Sequence, residues 1–484
     1  MADGRYWSRC FNPMSRLLRR RTVILFLFVL LLYIFYFVLM PQNGETVLWY
    51  KEWHLIHASK ASHMIGDYKK ALLPLPKNDD TGSDLLLTLG AENMLTWKNF
   101  ERTQNNDKIK ITLKSGLDAG AHAQSVCQNL TGNLSYKGNF PLPQMHYSSQ
   151  YRLLYCPVEK VGSTFWRRVF YILYGKSSQI YNHPLEVPIV DALTQKYETL
   201  PRLVRMPNQV RVFLNNSFKF MFVRNPFSRI LSAYVDKVFS PNPVYWKNFG
   251  IPSIRNSRHN ASKHSLTCGH DATFPEFLRY VVESESTLRN RDSHFKGMSS
   301  LCKPCSVHYN FVGKMETFER DAKVLFHKLG MNSFVQAMSD KFSSMSVYDA
   351  IVDSINGPYH WKRNIDRCIP FEQSQRRTWR KLQLKGIIAM SQNYPFREDE
   401  VSKETFIHVA WNAHQNSSTE ELKAQKKTVA QEAFNSVPLR DLELFKNVFK
   451  DDFTIFEYDD SPEEYFNRTQ NVQPVTQYLS FKNV

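Results

Sequence analysis

The stretch Tyr151–Tyr174, YRLLYCPVEKVGSTFWRRVFYILY, constrains this chain more than any other. A short apolar run, Leu153-Leu154-Tyr155-Cys156, stops at Pro157, which cannot donate to a strand ladder. A tight segment follows, Glu159-Lys160-Val161-Gly162-Ser163-Thr164. Trp166, Val169, Phe170 and Leu173 then recur at i, i+3, i+4 and i+7, the spacing of a half-buried helix. Strand, loop and helix in that order form a candidate anion site. The first N–H groups of a helix have no backbone acceptor, and the helix dipole favours negative charge there. Gly162 lets the backbone come close, Lys160 adds a full charge, and Ser163 and Thr164 add hydroxyl donors. The candidate anion-binding set is therefore Lys160, Val161, Gly162, Ser163, Thr164 and Phe165. Because the lysine precedes the glycine, the stretch is not GxxxxGK[ST], which disfavours an ordinary ATP or GTP loop. A plain strand–turn–helix with a solvated lysine fits this stretch alone about as well.

A second stretch, Phe218–Phe239, repeats the plan: FKFMFVRNPFSRILSAYVDKVF. The run Phe218–Val223 reads as a strand, Asn225 as a helix N-cap and Pro226 as the first helical residue. Phe227, Ile230, Leu231, Tyr234, Val235 and Val238 make an apolar face, while Arg229, Ser232 and Asp236 fall on another stripe. Two strand–helix units in succession argue for an α/β fold built on a parallel sheet with flanking helices. Ligands of such sheets sit at the carboxyl ends of the strands, where both stretches lie.

Together the two stretches resemble the nucleotide site of the sulfotransferases. In that family the first motif binds the 5′-phosphosulfate of 3′-phosphoadenosine 5′-phosphosulfate (PAPS), and R-x-P-x-x-R-x-x-S-x-Y binds the 3′-phosphate. Arg224, Pro226, Arg229, Ser232 and Tyr234 match the second motif. The flanking residues are most similar to the Golgi carbohydrate sulfotransferases of the HNK-1, chondroitin and dermatan 4-O group. That group usually has Pro-Lys-Val-Ala/Gly-Cys-Thr/Ser-Asn-Trp-Lys-Arg. Glu159, Ser163, Phe165 and Arg167 depart from it here, and Asn225 stands where Asp is usual. A third block is similar to the same group: Asp292-Ser293-His294-Phe295, Leu301-Cys302-Lys303-Pro304-Cys305, then Tyr309 to Thr317. The resemblance implies a P-loop-like, PAPS-dependent sulfotransferase fold. It also implies Lys160 and the loop on the 5′ side, and Arg224 and Ser232 on the 3′-phosphate. Arg229 would support the loop or bind that phosphate indirectly.

The chain has 484 residues and a formal net charge of +17. Six Arg and one Asp fall in the first 21 residues, ahead of an uncharged apolar run of 19 residues, Thr22–Met40. As a helix that run spans about 28 Å, close to one bilayer core. The positive-inside rule then gives a cytosolic tail at 1–21, a transmembrane signal-anchor at 22–40 and a lumenal remainder. Such a chain is type II, and the resemblance implies the Golgi membrane; a cleaved signal peptide is the alternative. Sequons at Asn129, Asn133, Asn215, Asn260, Asn416 and Asn467 suit a secretory location. Cys10 falls in the tail. Cys127, Cys156, Cys268, Cys302, Cys305 and Cys368 form an even lumenal set, which favours three disulfides of unread connectivity over half a zinc site.

Residues 41–148 read as a lumenal stem and entry segment, with a short helical or strand piece near Asp107–Leu113 and part of the segment free to pack on the domain. The sulfotransferase domain then occupies 149–484. Within it, Pro241–Cys268 is either a basic acceptor loop or a solvated one. Val307–Val312 reads as a strand, followed by a helix ending at Leu329-Gly330. A polar insertion over about 331–430 carries Gln375-Arg376-Arg377-Thr378-Trp379-Arg380-Lys381, a basic patch suited to an anionic glycan; a lumenal location argues against nucleic acid. Leu439–Phe449 reads as helix and Phe453–Tyr458 as a last strand.

Sulfuryl transfer needs alignment, charge neutralisation on the departing phosphate, and a base. Lys160 and His294 are the candidate catalytic residues. Glu159 is a second candidate base and Glu316 a weaker one, and each has a plain structural alternative. No metal is needed. The expected acceptor is a glycan hydroxyl, N-acetylgalactosamine O4 in chondroitin or dermatan chains first. A uronic acid 2-O-sulfotransferase, or a non-catalytic membrane-anchored glycan binder on the same fold, are the alternatives.

Overall fold

The computed structural model describes residues 107–131, 143–174, 181–195, 199, 207–338, 341–397, 401–468 and 478–481. The expected anchor at 22–40, the cytosolic tail and Asn133 lie outside them. Among the described residues, no helix is long and apolar enough to cross a membrane.

Four strands form one sheet in the order β1-β2-β3-β4. They are β1 (His146–Ser148), β2 (Leu153–Cys156), β3 (Phe218–Val223) and β4 (Phe311–Lys314). β2, β3 and β4 are parallel, with Leu153 opposite Phe218 and Phe220 opposite Phe311. β1 adds an antiparallel edge. The expected parallel sheet is thus present with one reversed strand. β2 and β3 occupy the two runs read as strands. Both are buried along their length, as strands covered on two faces must be.

Helices flank the sheet. α1 is Asp107–Thr131, α2 is Ser163–Leu173, and α3 is Pro226–Ala233, continued by a π-helical turn at Tyr234–Phe239. α4 is Phe274–Thr287 and α5 is Phe318–Lys328. The central core is aromatic. Trp166 of α2 lies against Phe220 and Phe222 of β3, with ring centroids 4.8 and 5.1 Å apart. Burying each such ring contributes about 2 kcal/mol. A second core joins α3 and α4 to three C-terminal helices: α9 (Thr419–Asn435), α10 (Leu439–Val448) and α11 (Lys450–Ile455).

Two strand expectations change, and two points left open are filled in. α1 packs on β4 and α5, and Cys127 is bonded to Cys305, so the compact fold begins well before residue 149. The apolar alternation Val307-Tyr309-Phe311 is buried, yet residues 304–307 form a helical turn and the strand starts only at Phe311. Pro304 opens that turn and His308, at φ 55°, closes it. Phe453–Tyr458 is not a strand: Asp452, Phe453, Ile455 and Phe456 are buried at helical spacing in and just after α11. The polar insertion over about 331–430 carries helices of its own. α6 (Phe342–Ile365), α7 (Phe371–Leu384) and α8 (Lys403–Gln415) enclose a small apolar core around Ile351, Ile355, Trp379 and Phe406.

The six cysteines form three disulfides, Cys127–Cys305, Cys156–Cys302 and Cys268–Cys368. Cys302 and Cys305 are spent in these bonds, which removes the half-zinc-site alternative. The sequon residues Asn129, Asn215, Asn260, Asn416 and Asn467 are all exposed.

Candidate functional site

The site grows from the loop between β2 and α2. Lys160 (φ 70°) and Gly162 (φ 80°) both take the left-handed conformation, which folds 159–163 into a tight turn at the helix start. Gly162 is required twice over: its φ disfavours a side chain, and a Cβ there would run into the Phe318 ring. Gly162 is the N-cap of α2 and no side chain caps that end. The first N–H groups of α2, from Ser163, Thr164 and Phe165, therefore have no intrahelical acceptor. Thr164 is half-buried beside Gly162 on a cavity of about 370 Å³ that reaches Phe318 and Phe342. Val161 and Phe165 are buried in the core, so each offers the loop its backbone N–H and not its side chain. Ser163 is buried, and its hydroxyl donates to Glu159 at 2.6 Å.

Glu159 also forms a short ion pair with Arg167. Burial alone would raise its carboxyl, but the Arg167 guanidinium, helped by the Ser163 hydroxyl, holds it down at about 2. A carboxylate this acidic and this well paired is a poor proton acceptor near neutrality, so the geometry favours a structural Glu159 over a base. Glu316 is likewise engaged. It accepts from the Asn225 N–H at 2.9 Å and the Tyr458 hydroxyl at 3.0 Å. Its carboxylate thus meets the N-cap of α3, a helix other than the Phe318–Lys328 helix its own segment leads into. Asn225 caps α3 as expected, accepting from the Ser228 N–H at 3.2 Å.

The two motifs meet directly. The Arg224 guanidinium donates to the Lys160 carbonyl at 3.3 Å. Burial lowers the Arg224 pKa, with Glu316 and Tyr458 opposing the shift. The hydroxyl of Ser232, half-buried on α3, makes no hydrogen bond among the described residues. Arg229 is 3 % exposed and donates to three carbonyls: Glu159 at 3.0 Å, Lys296 at 2.7 Å and Ser293 at 2.9 Å. Of its two expected roles, this geometry fits support of the loop. Arg229 also clasps the 293–296 turn to the loop, which sets His294 beside Glu159, close enough for their charges to interact.

His294 Nδ1 lies 2.6 Å from Asp292 Oδ1 and 3.1 Å from the Tyr245 hydroxyl. An ionised Asp292 requires Nδ1 to carry the proton, which leaves Nε2 as the acceptor. Burial would raise the Asp292 carboxyl, but its bonds to His294 hold it below the usual range.

Sequence reasoning missed the residue that engages Lys160. Asp236 accepts from Lys160 Nζ at 2.7 Å and, through its other oxygen, pairs with Lys381 of α7 at 2.9 Å. Burial would raise its pKa; Lys160 and Lys381 hold it well below the carboxylate range. The signal was the polar stripe Arg229, Ser232, Asp236. The π-helical turn holding Asp236 changes the angular register, and helical spacing alone does not foresee that. The basic patch on α7 is corrected too. Gln375, Arg377, Thr378, Trp379 and Lys381 are buried, and Arg377 donates to the carbonyls of His270 and Phe239.

Residues 143–348 match the Sulfotransferase family. Among curated proteins, the chain is 32% identical to carbohydrate sulfotransferase 11 of Rattus norvegicus over 198 residues, covering 40% of this chain and 55% of that protein. It is 37% identical to human carbohydrate sulfotransferase 14 over 175 residues, 36% of this chain and 43% of that one. With human carbohydrate sulfotransferase 8 it shares 31% over 201 residues, 41% and 46% of the two chains. The chain spans about half the length of these relatives. No solved structure matches it. Residues 143–348 therefore carry a sulfotransferase-family domain, in a chain similar to carbohydrate sulfotransferases.

Proposed function

We propose that the protein transfers a sulfuryl group from PAPS to a hydroxyl of a glycan, in the Golgi lumen, as a type II membrane protein. The observation that carries this reading is the convergence of Lys160, Arg224 and the Asp292–His294 pair on one loop, clasped by Arg229. The uncapped start of α2 and the Lys160 ammonium suit the phosphosulfate, where they would neutralise charge growing on the departing phosphate oxygen. Arg224 and Ser232 suit the ribose 3′-phosphate, the group that distinguishes PAPS from ATP. His294 Nε2 takes the acceptor's proton while Asp292 holds the tautomer. The acceptor is N-acetylgalactosamine at O4 in chondroitin or dermatan chains, a choice supported by the block from Asp292 to Thr317. The test is transfer of radiolabelled sulfate from PAPS to desulfated chondroitin and a wider glycan panel. Label on chondroitin supports the acceptor; label on another glycan alone moves it; no label on any removes the transferase reading.

A further inference from the structure

Helix α7 lies beyond the family match, which ends at residue 348, yet it grips the π-helical turn that carries Asp236. Arg377 donates to the Phe239 carbonyl. Lys381, one helical turn on, donates to the Ser240 hydroxyl at 3.3 Å and pairs with Asp236 Oδ1 at 2.9 Å. Residues four apart on a helix share a face, so Arg377 and Lys381 close on that turn together. The other oxygen of Asp236, Oδ2, accepts from Lys160 at 2.7 Å. Ser240, Lys381, Asp236 and Lys160 thus form a chain of bonded groups that ends at the phosphate loop. Lys237 stands outside it: its ammonium is 3.8 Å from Asp236 Oδ2 and lies over the Tyr245 ring, 4.9 Å from the centroid.

Exposure separates the two lysines that share Asp236. The Lys381 side chain is 5% exposed with its bonds already made, so it meets no ligand itself, whereas the Lys160 side chain is 16% exposed on the loop. An ammonium has three N–H donors, and Asp236 takes one from Lys160. The four-carbon stem of a lysine is flexible, so the direction of the other two depends on how firmly the carboxylate partner is held. Lys381 holds it by occupying the second oxygen. Charge acts in the same sense. Lys160 with Asp236 alone is a neutral pair, a weak partner for an anion. With Lys381 added, the three bonded groups keep one net positive charge.

We propose that Lys381 is a positioning residue for Lys160, acting through Asp236: it fixes the carboxylate that aims the loop ammonium and offsets its negative charge, so that Lys160 meets the nucleotide's 5′ group as a cation. The role rests on the sulfuryl-transfer reading, which gives Lys160 the phosphosulfate, and binding alone tests it. The full-length chain is titrated calorimetrically with 3′,5′-ADP, the nucleotide that PAPS becomes on losing its sulfuryl group, and with adenosine 3′-phosphate, which lacks the 5′ group. The ratio of the two affinities isolates the contact made by Lys160. Lys381→Met is expected to lower that ratio about tenfold, which is about 1.4 kcal/mol, and to leave the affinity for adenosine 3′-phosphate unchanged. Asp236→Asn combined with Lys381→Met brings the ratio back to within about threefold of wild type, because the amide still accepts from Lys160 and no longer cancels its charge. Lys381→Gln repeats the measurement should thermal unfolding show Lys381→Met to be misfolded. An unchanged ratio, an equal loss of both nucleotides, or a double variant as weak as the single one overturns the positioning role. A wild-type chain that binds neither nucleotide removes the PAPS reading and the role with it. A ratio that responds as expected in a chain that labels no glycan removes the transferase reading and leaves the role standing.

Discussion

Lys160 and Arg224 show how much a single side chain is asked to do here. Each carries its charge toward the loop while fixed by one partner, Asp236 for Lys160 and the Lys160 carbonyl for Arg224. Lys160→Ala and Arg224→Ala are each expected to lower sulfate transfer by at least about a hundredfold, read by labelled product at saturating acceptor. His294→Ala should keep 3′,5′-ADP affinity within about twofold and lose transfer by a similar factor, since proton removal and nucleotide binding are separate tasks. Normal turnover in that variant removes His294 as the base. Glu159 supplies a stability signature. Its folded pKa, about 2, lies below the ordinary 4.5, so the folded chain binds fewer protons than the unfolded one between those values. Its contribution is complete above about pH 4.5 and is lost as pH falls toward about 2. Glu159→Gln should flatten that part of the wild-type dependence of thermal unfolding on pH, and an unchanged slope would remove the Arg167 pairing as its source.

At the scale of elements, helix α2 is held by a residue just beyond the matched region, which ends at 348. Arg168 of α2 is 2% exposed and pairs with both carboxylate oxygens of Asp349 on α6, at 2.7 and 2.8 Å. Asp349→Asn weakens a paired buried guanidinium and should cost about 2 kcal/mol in denaturant unfolding. Asp349→Ala should cost more, because it leaves that charge without its partner. The elements most legible in the sequence were those whose burial pattern and chemistry agree. β2, β3, α2 and the capped start of α3 fall where apolar runs, Pro157, Gly162 and Asn225 put them. The strands read at Val307–Val312 and Phe453–Tyr458 failed for one reason. Burial of alternate or clustered apolar residues does not by itself report backbone conformation: Pro304 and His308 bound a helical turn at 304–307, and Asp452, at the start of α11, is engaged at long range. Asp452 accepts the N–H groups of Met298 and Ser299, a helix-start contact more than 150 residues away in sequence.

For the whole molecule, the boundary of the fold is the point most open to a direct test. α1 covers β4 and α5, and its Cys127 is bonded to Cys305. A secreted form starting at residue 149 loses that helix, the β1 edge and a disulfide partner, and should fail to accumulate in culture medium. A form starting at residue 100 should be secreted and folded, judged by resistance to limited proteolysis. Equal secretion of both forms would make α1 dispensable. What the sequence determined by itself was local: two strand-to-helix corners, an even set of six cysteines after residue 40, and the family those motifs resemble. Such features depend on residues within a turn or two of one another, where steric and capping preferences act without help. The tertiary structure alone decided that Arg229 clasps the His294 turn to the loop, that Lys160 and Lys381 share Asp236, and which cysteines pair. Those contacts join residues about 65 to 180 positions apart, and only packing, through the free energy of burying the elements between them, selects such partners.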